Sequence, residues 1–191
     1  MICLVRGRVD IDWNVVVTAY DWRGLRRARH LLSHYGDVER TEFHNVLVVR
    51  VADVAAFLEA ISAAAELDVS MRNDISRIMP AQALFSFRTT AEFEENARAV
   101  VCQWADRIAG GSFHVRLHRR RGDSPVKLSA QIEERYLNDT ILRRLRELGQ
   151  LGCLDFQDPD YVIDIETVGE RSGMSLWSRD DLKRFPLLRV D

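Results

Sequence analysis

The order of extended and helical segments in the first 85 residues constrains the fold of this chain most strongly. Runs of β-branched and aromatic residues alternate with runs in which apolar residues recur every three or four positions, and these periodicities predict strands and helices respectively. The predicted elements are a strand at 13–20, a helix at 25–35 that stops at Gly36, a hairpin at 38–51, a helix capped by Asp53, and an extended run at 75–85. Strand, helix, strand, strand, helix, strand is the order of the split βαβ, or ferredoxin-like, fold. Pro80 lacks an amide donor, so we expect it at a sheet edge, a bulge or a strand end.

A second α/β unit is predicted from Thr89 onward. Thr89 and Glu92 have the T-x-x-E spacing of a capping box, which marks the start of a helix. The elements predicted after this helix are an alternating strand from 112 that ends in arginines, a helix capped by Ser129 that stops at Gly149, an alternating strand at 160–168, a strand at 174–178 and a short helix capped by Ser178. We therefore expect an α+β and α/β chain of two domains, at residues 1–86 and 87–191.

The composition argues against several classes of protein. No window of the chain approaches the ~18 uninterrupted apolar residues of a membrane span, and Arg6 and Arg8 interrupt any secretory signal. The cysteines are odd in number and widely separated, at Cys3, Cys102 and Cys153, which disfavours a zinc site or a disulfide framework. We expect a cytoplasmic protein with no membrane contact.

Positive charge is concentrated in one part of the chain, although the formal net charge is only −2. Residues 113–146 carry nine basic and four acidic side chains, whereas residues 147–166 carry six acids and no basic residue. Such polarity allows an anion to bind on one side of a nearly neutral protein. All but two of the 27 basic residues are arginines. That bias fits a GC-rich genome, and it also suits bidentate contacts to phosphate.

The sharpest feature is the arginine run at the end of the strand predicted from 112. Arg116 and residues 119–121 precede Gly122, which permits close backbone approach, and Lys127 lies just before the next predicted helix with its free amides. One interpretation is a phosphate clamp at a strand–loop junction, and the other is a solvated strand end. In the first interpretation the charges are exposed, so replacing them should change stability by no more than about 0.5 kcal/mol.

Histidines and aspartates of the second unit are the alternative candidates for chemistry. His114 and His118 lie four residues apart on one face of a predicted strand, and no third ligand accompanies them. Asp158 and Asp160 flank a proline in a turn pattern, and Asp164 lies within an alternating strand. We therefore predict no metal site and no catalytic residue. A small enzyme that uses these side chains is the second interpretation.

Loops that bind nucleotides and other cofactors often have recognisable sequence patterns. The sequence contains no GxxxxGK[ST], GxGxxG, GxSxG or HExxH pattern. Residues 146–152 approach the pyrophosphate loop of acyl-CoA enzymes, but Leu151 stands where glycine or alanine is needed, and Gly149 fits a helix end better. We predict no cofactor and no binding of acetyl-CoA.

Several motifs in the second unit, in this order and spacing, resemble those of THUMP domains, and the first unit resembles the ferredoxin-like domain that accompanies them. The motifs are SRIMP at 76–80, FHVR at 113–116 followed by the arginines at 119–121, Ser129 at a helix start, and DFQDPD at 155–160 leading into VIDIE at 162–166. The resemblance covers about residues 75–178. It implies that the second unit is a THUMP-like domain that binds RNA, usually tRNA.

The resemblance also implies a non-catalytic tRNA-binding adaptor. Most THUMP domains are joined to a modification enzyme, whereas this chain ends at Asp191. It therefore resembles adaptor members of the family, which present tRNA to a separate enzyme such as a cytidine acetyltransferase. We expect tRNA and a modification enzyme as partners, and no DNA; a protein-interaction module whose acidic segment at 147–166 binds a partner is a further alternative. The residues expected to contact phosphate or sugar are Arg77, Arg116, Arg119, Arg120, Arg121 and Lys127.

Overall fold

The computed structural model describes residues 11–120, 122 and 124–190, and the chain divides into two compact units. The first unit extends to Ala81 and includes Phe185–Arg189, and the second comprises Gln82–Arg184 with Val190. This division differs from the predicted boundary after residue 86. The reason is that residues 83–86 pair with a strand of the second sheet, while Leu187 near the C-terminus packs in the first core.

Three helices and four strands make up the described part of the first unit. The elements are β1 (Val15–Ala19), α1 (Trp22–Leu32), β2 (Gly36–Arg40), β3 (Val46–Val51), α2 (Val54–Leu67), α3 (Val69–Asp74) and β4 (Ile75–Pro80). The strand order is β2-β3-β1-β4, and each neighbouring pair is antiparallel. This is the ferredoxin-like arrangement predicted from the sequence. Pro80 is the last residue of an edge strand, as expected.

Two local features of the first unit differ from the prediction. Helix α1 ends at Leu32, and Gly36 opens β2 instead of closing the helix. A Cβ atom at Gly36 would lie 2.1 Å from the carbonyl oxygen of Arg50, so only glycine permits this approach of β2 to β3. The short helix α3, capped by the side chain of Asp68, was not predicted.

A mixed five-stranded sheet and three helices make up the described part of the second unit. The elements are β5 (Ala83–Ser86), α4 (Thr90–Ile108), β6 (Ser112–Arg120), α5 (Ala130–Glu147), β7 (Cys153–Leu154), β8 (Tyr161–Val168), β9 (Arg171–Ser178) and α6 (Arg179–Arg184). The strand order is β5-β9-β8-β6-β7. Strand β6 is parallel to both of its neighbours, and the other pairs are antiparallel.

Most predicted helix ends of the second unit are confirmed. The Thr89 hydroxyl accepts a hydrogen bond from the Glu92 amide at 3.1 Å, as a cap does. Gly149 has a φ of 69° and follows Leu148, the C-cap residue of α5, which supports a helix end at this position. Ser129 is an exception, because it precedes α5 but its side chain makes no capping hydrogen bond.

The two faces of the second sheet have opposite character. On one face, alternate residues of β6, β8 and β9 pack with α4 and α5 in an apolar core that includes Phe113, Val115 and Leu117. Most of the residues between them place polar or charged groups on the other face, where Val162 and Trp177 also lie. Arg116 and Arg120 of β6, two of the predicted RNA-contacting residues, lie on this polar face. Among the described residues, no helix is both long enough and apolar enough to cross a membrane.

Candidate nucleic-acid interface

Arg119 holds the loop between β6 and α5. Its guanidinium donates one hydrogen bond to the carbonyl oxygen of Val126 at 2.8 Å and a second to that of Leu128. Both carbonyl groups flank Lys127, whose side chain is exposed. Arg119 is therefore a half-buried anchor of the loop, and the expectation of a fully exposed strand-end charge is wrong for this residue.

Arg120 forms an ion pair with Glu166 of the neighbouring strand β8. The side chains are 15% and 3% exposed respectively, so both charges are largely removed from water. Removing the arginine would leave a carboxylate buried without its counter-charge, which is costly. The expectation of an exposed strand-end charge is therefore also wrong for Arg120, and we expect its replacement to lower the stability of the protein.

The other predicted RNA-contacting residues lie in different environments. Arg116 is half-buried on the polar face of β6, and Lys127 is exposed in the loop. Arg77 lies in β4 of the first unit and is only 6% exposed, because its strand is buried along almost its whole length. Arg121 falls outside the described residues. The arginine run thus forms no cluster of exposed guanidinium groups among the described residues of β6.

Strands β6 and β8 bring three metal-ligand-type side chains together on the polar face. The Nε2 atom of His118 lies 3.3 Å from Oδ1 of Asp164, and His118, Asp164 and Glu166 offer ligand atoms within 4.8 Å of one another. Asp164 and Glu166 are 1% and 2% exposed. No third ligand for His118 is evident from the sequence alone, because its position depends on the register of β6 against β8. In this parallel pair His118 lies opposite Glu166, and Arg116 lies opposite Asp164.

This cluster has the character of an ion-pair network. Such a set of nitrogen and carboxylate donors is able to bind a divalent cation. However, the guanidinium group of Arg120 already forms an ion pair with Glu166, and the imidazole of His118 lies beside Asp164. A second cation would have to compete with the guanidinium group. Glu166 is thus paired with a guanidinium group of this chain, and Asp164 lies beside the imidazole of His118.

Helix α5 closes the free edge of β6. Beyond its first two residues β6 pairs with no strand on that side among the described residues. Its amides at Val115 and Leu117 donate to the side chains of Asn138 and Glu134, at 3.0 and 2.8 Å. Side chains of a helix thus replace a missing strand and satisfy buried donors. Local sequence patterns do not indicate these contacts, because the partners are 17 and 23 residues apart.

Aspartates of the DFQDPD segment support turns and strand ends. Hydrogen bonds from the amides of Gln157 and Asp158 lower the pKa of Asp155. Hydrogen bonds from the amide and hydroxyl of Ser112 lower the pKa of Asp160. These contacts agree with the turn that was predicted here. They hold both carboxyl groups in the charged state.

Several exposed arginines of the first unit lie on α1, beside an exposed tryptophan. Trp22 is 55% exposed, and the guanidinium carbons of Arg23 and Arg26 lie 5.6 and 6.0 Å from its ring centroid. These distances are typical of cation–π contacts. This helix surface was not among the sites predicted from the sequence.

Comparison with known proteins supports the fold. No protein-family model matches the chain, and no curated protein matches it. Among solved structures, PH1313 from Pyrococcus horikoshii aligns with 86% of this chain and 54% of its own, at 14% identity and a TM-score of 0.54. A 4-thiouridine synthetase solved with RNA and ATP aligns with 87% of this chain and 42% of its own, at 14% identity and a TM-score of 0.54. TrmN from Thermus thermophilus aligns with 86% of this chain and 44% of its own, at 17% identity and a TM-score of 0.51.

These similarities extend over nearly the whole of this chain, which spans about half or less of each solved structure. Identities this low bear on the fold alone. The two-domain, THUMP-like fold expected from the sequence is confirmed in this way.

Proposed function

We propose that this chain is a non-catalytic tRNA-binding adaptor, which presents its RNA to a separate modification enzyme. The observation that carries the proposal is the succession of a ferredoxin-like and a THUMP-like unit, which resembles a protein solved in complex with RNA over 87% of this chain. The motifs in β6, β8 and the DFQDPD segment add to that support, because they occur in the expected elements. A cytidine acetyltransferase is one candidate for this separate modification enzyme.

Lys127 is the proposed phosphate contact of the second unit. Its side chain is exposed, and Arg119 fixes the carbonyl groups on both sides of it. Arg119 is thus a positioning residue, which presents the ammonium group to solvent. Arg116 and Arg121 remain proposed contacts, whereas the burial of Arg77 leaves little of its side chain for RNA.

The state of the aspartates favours an adaptor over an enzyme. A general acid needs a pKa raised toward the working pH. Hydrogen bonds lower the pKa of Asp155 and Asp160 instead, and both side chains support backbone turns or strand ends. These two aspartates of the alternative enzyme are thus suited to structural roles.

Binding of purified tRNA at several salt concentrations tests the proposal. We expect the affinity to fall steeply with salt, and Lys127→Ala to reduce the slope of log affinity against log salt by about 0.7 to 0.9. Arg119→Ala should weaken binding by loosening the loop. Arg143→Ala, on the exposed side of α5, serves as the control with an unchanged slope.

Two outcomes would contradict the proposal. A wild-type chain that does not bind tRNA removes the RNA-binding function. A purified chain that changes a nucleoside in tRNA by itself, detected by mass spectrometry of the digested RNA with acetyl-CoA or another donor present, removes the adaptor role.

A further inference from the structure

We propose that the exposed face of α1 is a second RNA-contact surface, on which an unpaired base stacks against Trp22 while Arg23 and Arg26 bind its flanking phosphates. This inference rests on the proposed RNA-binding function and adds a site in the first unit. It follows from the charge, the exposure and the anchoring of α1.

Helix α1 is strongly basic and carries no acid. Its sequence, WRGLRRARHLL, contains four arginines and one histidine, and His34 follows within one turn. Nucleic-acid contacts are mostly contacts to phosphate, and they need such a concentration of positive charge. The surface therefore matches a polyanion better than an apolar or mixed-charge partner.

The helix separates its apolar and basic residues into two faces. Gly24, Leu25, Ala28 and Leu32 are buried against the first unit, so the arginines between them point to solvent. Arg23 and Arg26 contact the Trp22 ring, and neither has a carboxylate partner among the described residues. A large aromatic ring and two uncompensated guanidinium groups thus occupy one exposed surface.

Arg27 and Gly24 fix this surface in place. The Nε atom of Arg27 donates to Oδ2 of Asp74 at 2.5 Å, and its terminal nitrogen pairs with Oδ1. This hydrogen bonding raises the pKa of Arg27. A Cβ atom at Gly24 would lie 2.6 Å from the carbonyl oxygen of Asp74, so glycine lets α1 approach the end of α3 closely. The exposed face is therefore anchored before a ligand arrives, which lowers the entropic cost of binding.

A groove lined by aromatic, apolar and basic side chains runs along α1. Its lining includes Trp22, Arg23, Arg26, His30, Leu31 and His34. Proteins that bind single-stranded nucleic acid combine a positive groove with aromatic stacking platforms. Every base has a π face, so this groove would accept an unpaired nucleotide without reading its identity.

Trp22 makes the proposal directly measurable by fluorescence. The chain has four tryptophans, and Trp13, Trp104 and Trp177 are buried. Stacking of a base on Trp22 should therefore quench the solvent-accessible part of the emission. Titration of the full chain with an eight-residue oligouridylate should give saturable quenching, whereas inorganic polyphosphate of similar charge should bind with much less quenching.

Three variants separate stacking from charge and from misfolding. Trp22→Ala should weaken oligouridylate binding about 5-fold or more, because aromatic stacking contributes about 1 to 3 kcal/mol per base. Trp22→Phe should keep most of the affinity and lose the quenching signal. Arg23→Ala with Arg26→Ala should reduce the salt slope by about 1.4, at about 0.7 per contact to a single strand. Arg143→Ala with Arg146→Ala is the charge-matched control on α5.

Each result has one meaning for the proposal. If tRNA binds but the α1 variants bind like wild type with circular dichroism spectra unchanged, the α1 site is wrong and the proposed function stands. If the wild type binds no tRNA, the proposed function is wrong, and the α1 site that rests on it is wrong as well. If vesicles of phosphatidylserine shift the Trp22 emission to the blue and oligouridylate causes no quenching, the face binds a membrane surface and the proposal is overturned.

Discussion

Arginines are abundant both on α1 and at the end of β6, but they serve different purposes in the two places. On β6, Arg119 binds loop carbonyl groups and Arg120 neutralises a buried carboxylate. On α1, only Arg27 has a carboxylate partner among the described residues, while Arg23 and Arg26 flank an exposed ring. A high density of arginine in a sequence therefore does not identify a binding surface. The groups across from each guanidinium decide whether its charge is available.

The secondary structure explains part of this difference. A helix with a 3.6-residue period can direct all of its apolar residues inward and leave every arginine on the outside. A strand directs alternate residues to opposite faces, so consecutive arginines at the end of β6 meet different neighbours. One of them faces the loop before α5, and the next faces Glu166 on β8.

The largest expected effect separates Arg120 from the arginines of α1. Arg120→Met should destabilise the protein by about 3 to 5 kcal/mol, because Glu166 is then buried without its counter-charge. Unfolding in urea measures the change. Adding Glu166→Gln to Arg120→Met should recover much of the loss. A single variant as stable as wild type would contradict the buried ion pair.

Glu133 is a further buried carboxyl group of the second unit, and it makes the stability of the protein depend on pH. Burial, with a smaller contribution from Glu94, raises the pKa of Glu133 to about 7. The folded protein therefore holds this proton more tightly than the unfolded chain, whose carboxyl group titrates near 4.5. Stability from this group should be complete below about pH 4.5 and should fall as the pH rises toward 7.

Replacement of Glu133 tests this pH dependence. Glu133→Gln should remove the fall and stabilise the protein at pH 8 by on the order of 2 kcal/mol, measured as the free energy of unfolding from pH 4 to 8. Glu95→Gln, on the exposed side of α4, is the matched control and should leave the profile unchanged. A Glu133→Gln profile parallel to that of wild type would show that the group is not desolvated.

The smallest expected effect concerns the exposed arginines of α1. Arg23→Ala and Arg26→Ala should each change the free energy of unfolding by less than about 0.5 kcal/mol, because neither side chain is buried or paired with a carboxylate among the described residues. Thermal unfolding compares them with Arg120→Met. A loss of several kcal/mol from either α1 variant would mean that Arg23 or Arg26, like Arg120, stabilises the fold, and would contradict the difference between the two regions.

Much of the fold could be predicted from the sequence, because it depends on local periodicity. The β-branched run of β1 and the helical apolar spacing of α1 were sufficient for the first unit, and the capping pair of Thr89 and Glu92 marked the start of α4. The boundary between the units was less accessible. Strand β5 belongs to the second sheet through β9, which is more than 80 residues away, and local composition carries no information about such a partner.

The candidate sites were harder to predict, because they depend on contacts between distant residues. Arg120 meets Glu166 46 positions later, and Arg27 meets Asp74 47 positions later. Only the register of β6 on β8 and the docking of α1 on α3 create these pairs. The same register placed Asp164 and Glu166 beside His118, which the sequence alone had left without a third ligand.

Salt dependence of tRNA affinity tests the central claim, that phosphate is bound where arginine is exposed and not where it is paired within the fold. The wild-type chain should lose affinity steeply between low and moderate salt. Arg23→Ala with Arg26→Ala should reduce the slope of log affinity against log salt by about 1.4 to 1.8, while Arg120→Met with Glu166→Gln should leave the slope unchanged. An unchanged slope in the α1 variant together with a reduced slope in the β6–β8 variant would contradict the account.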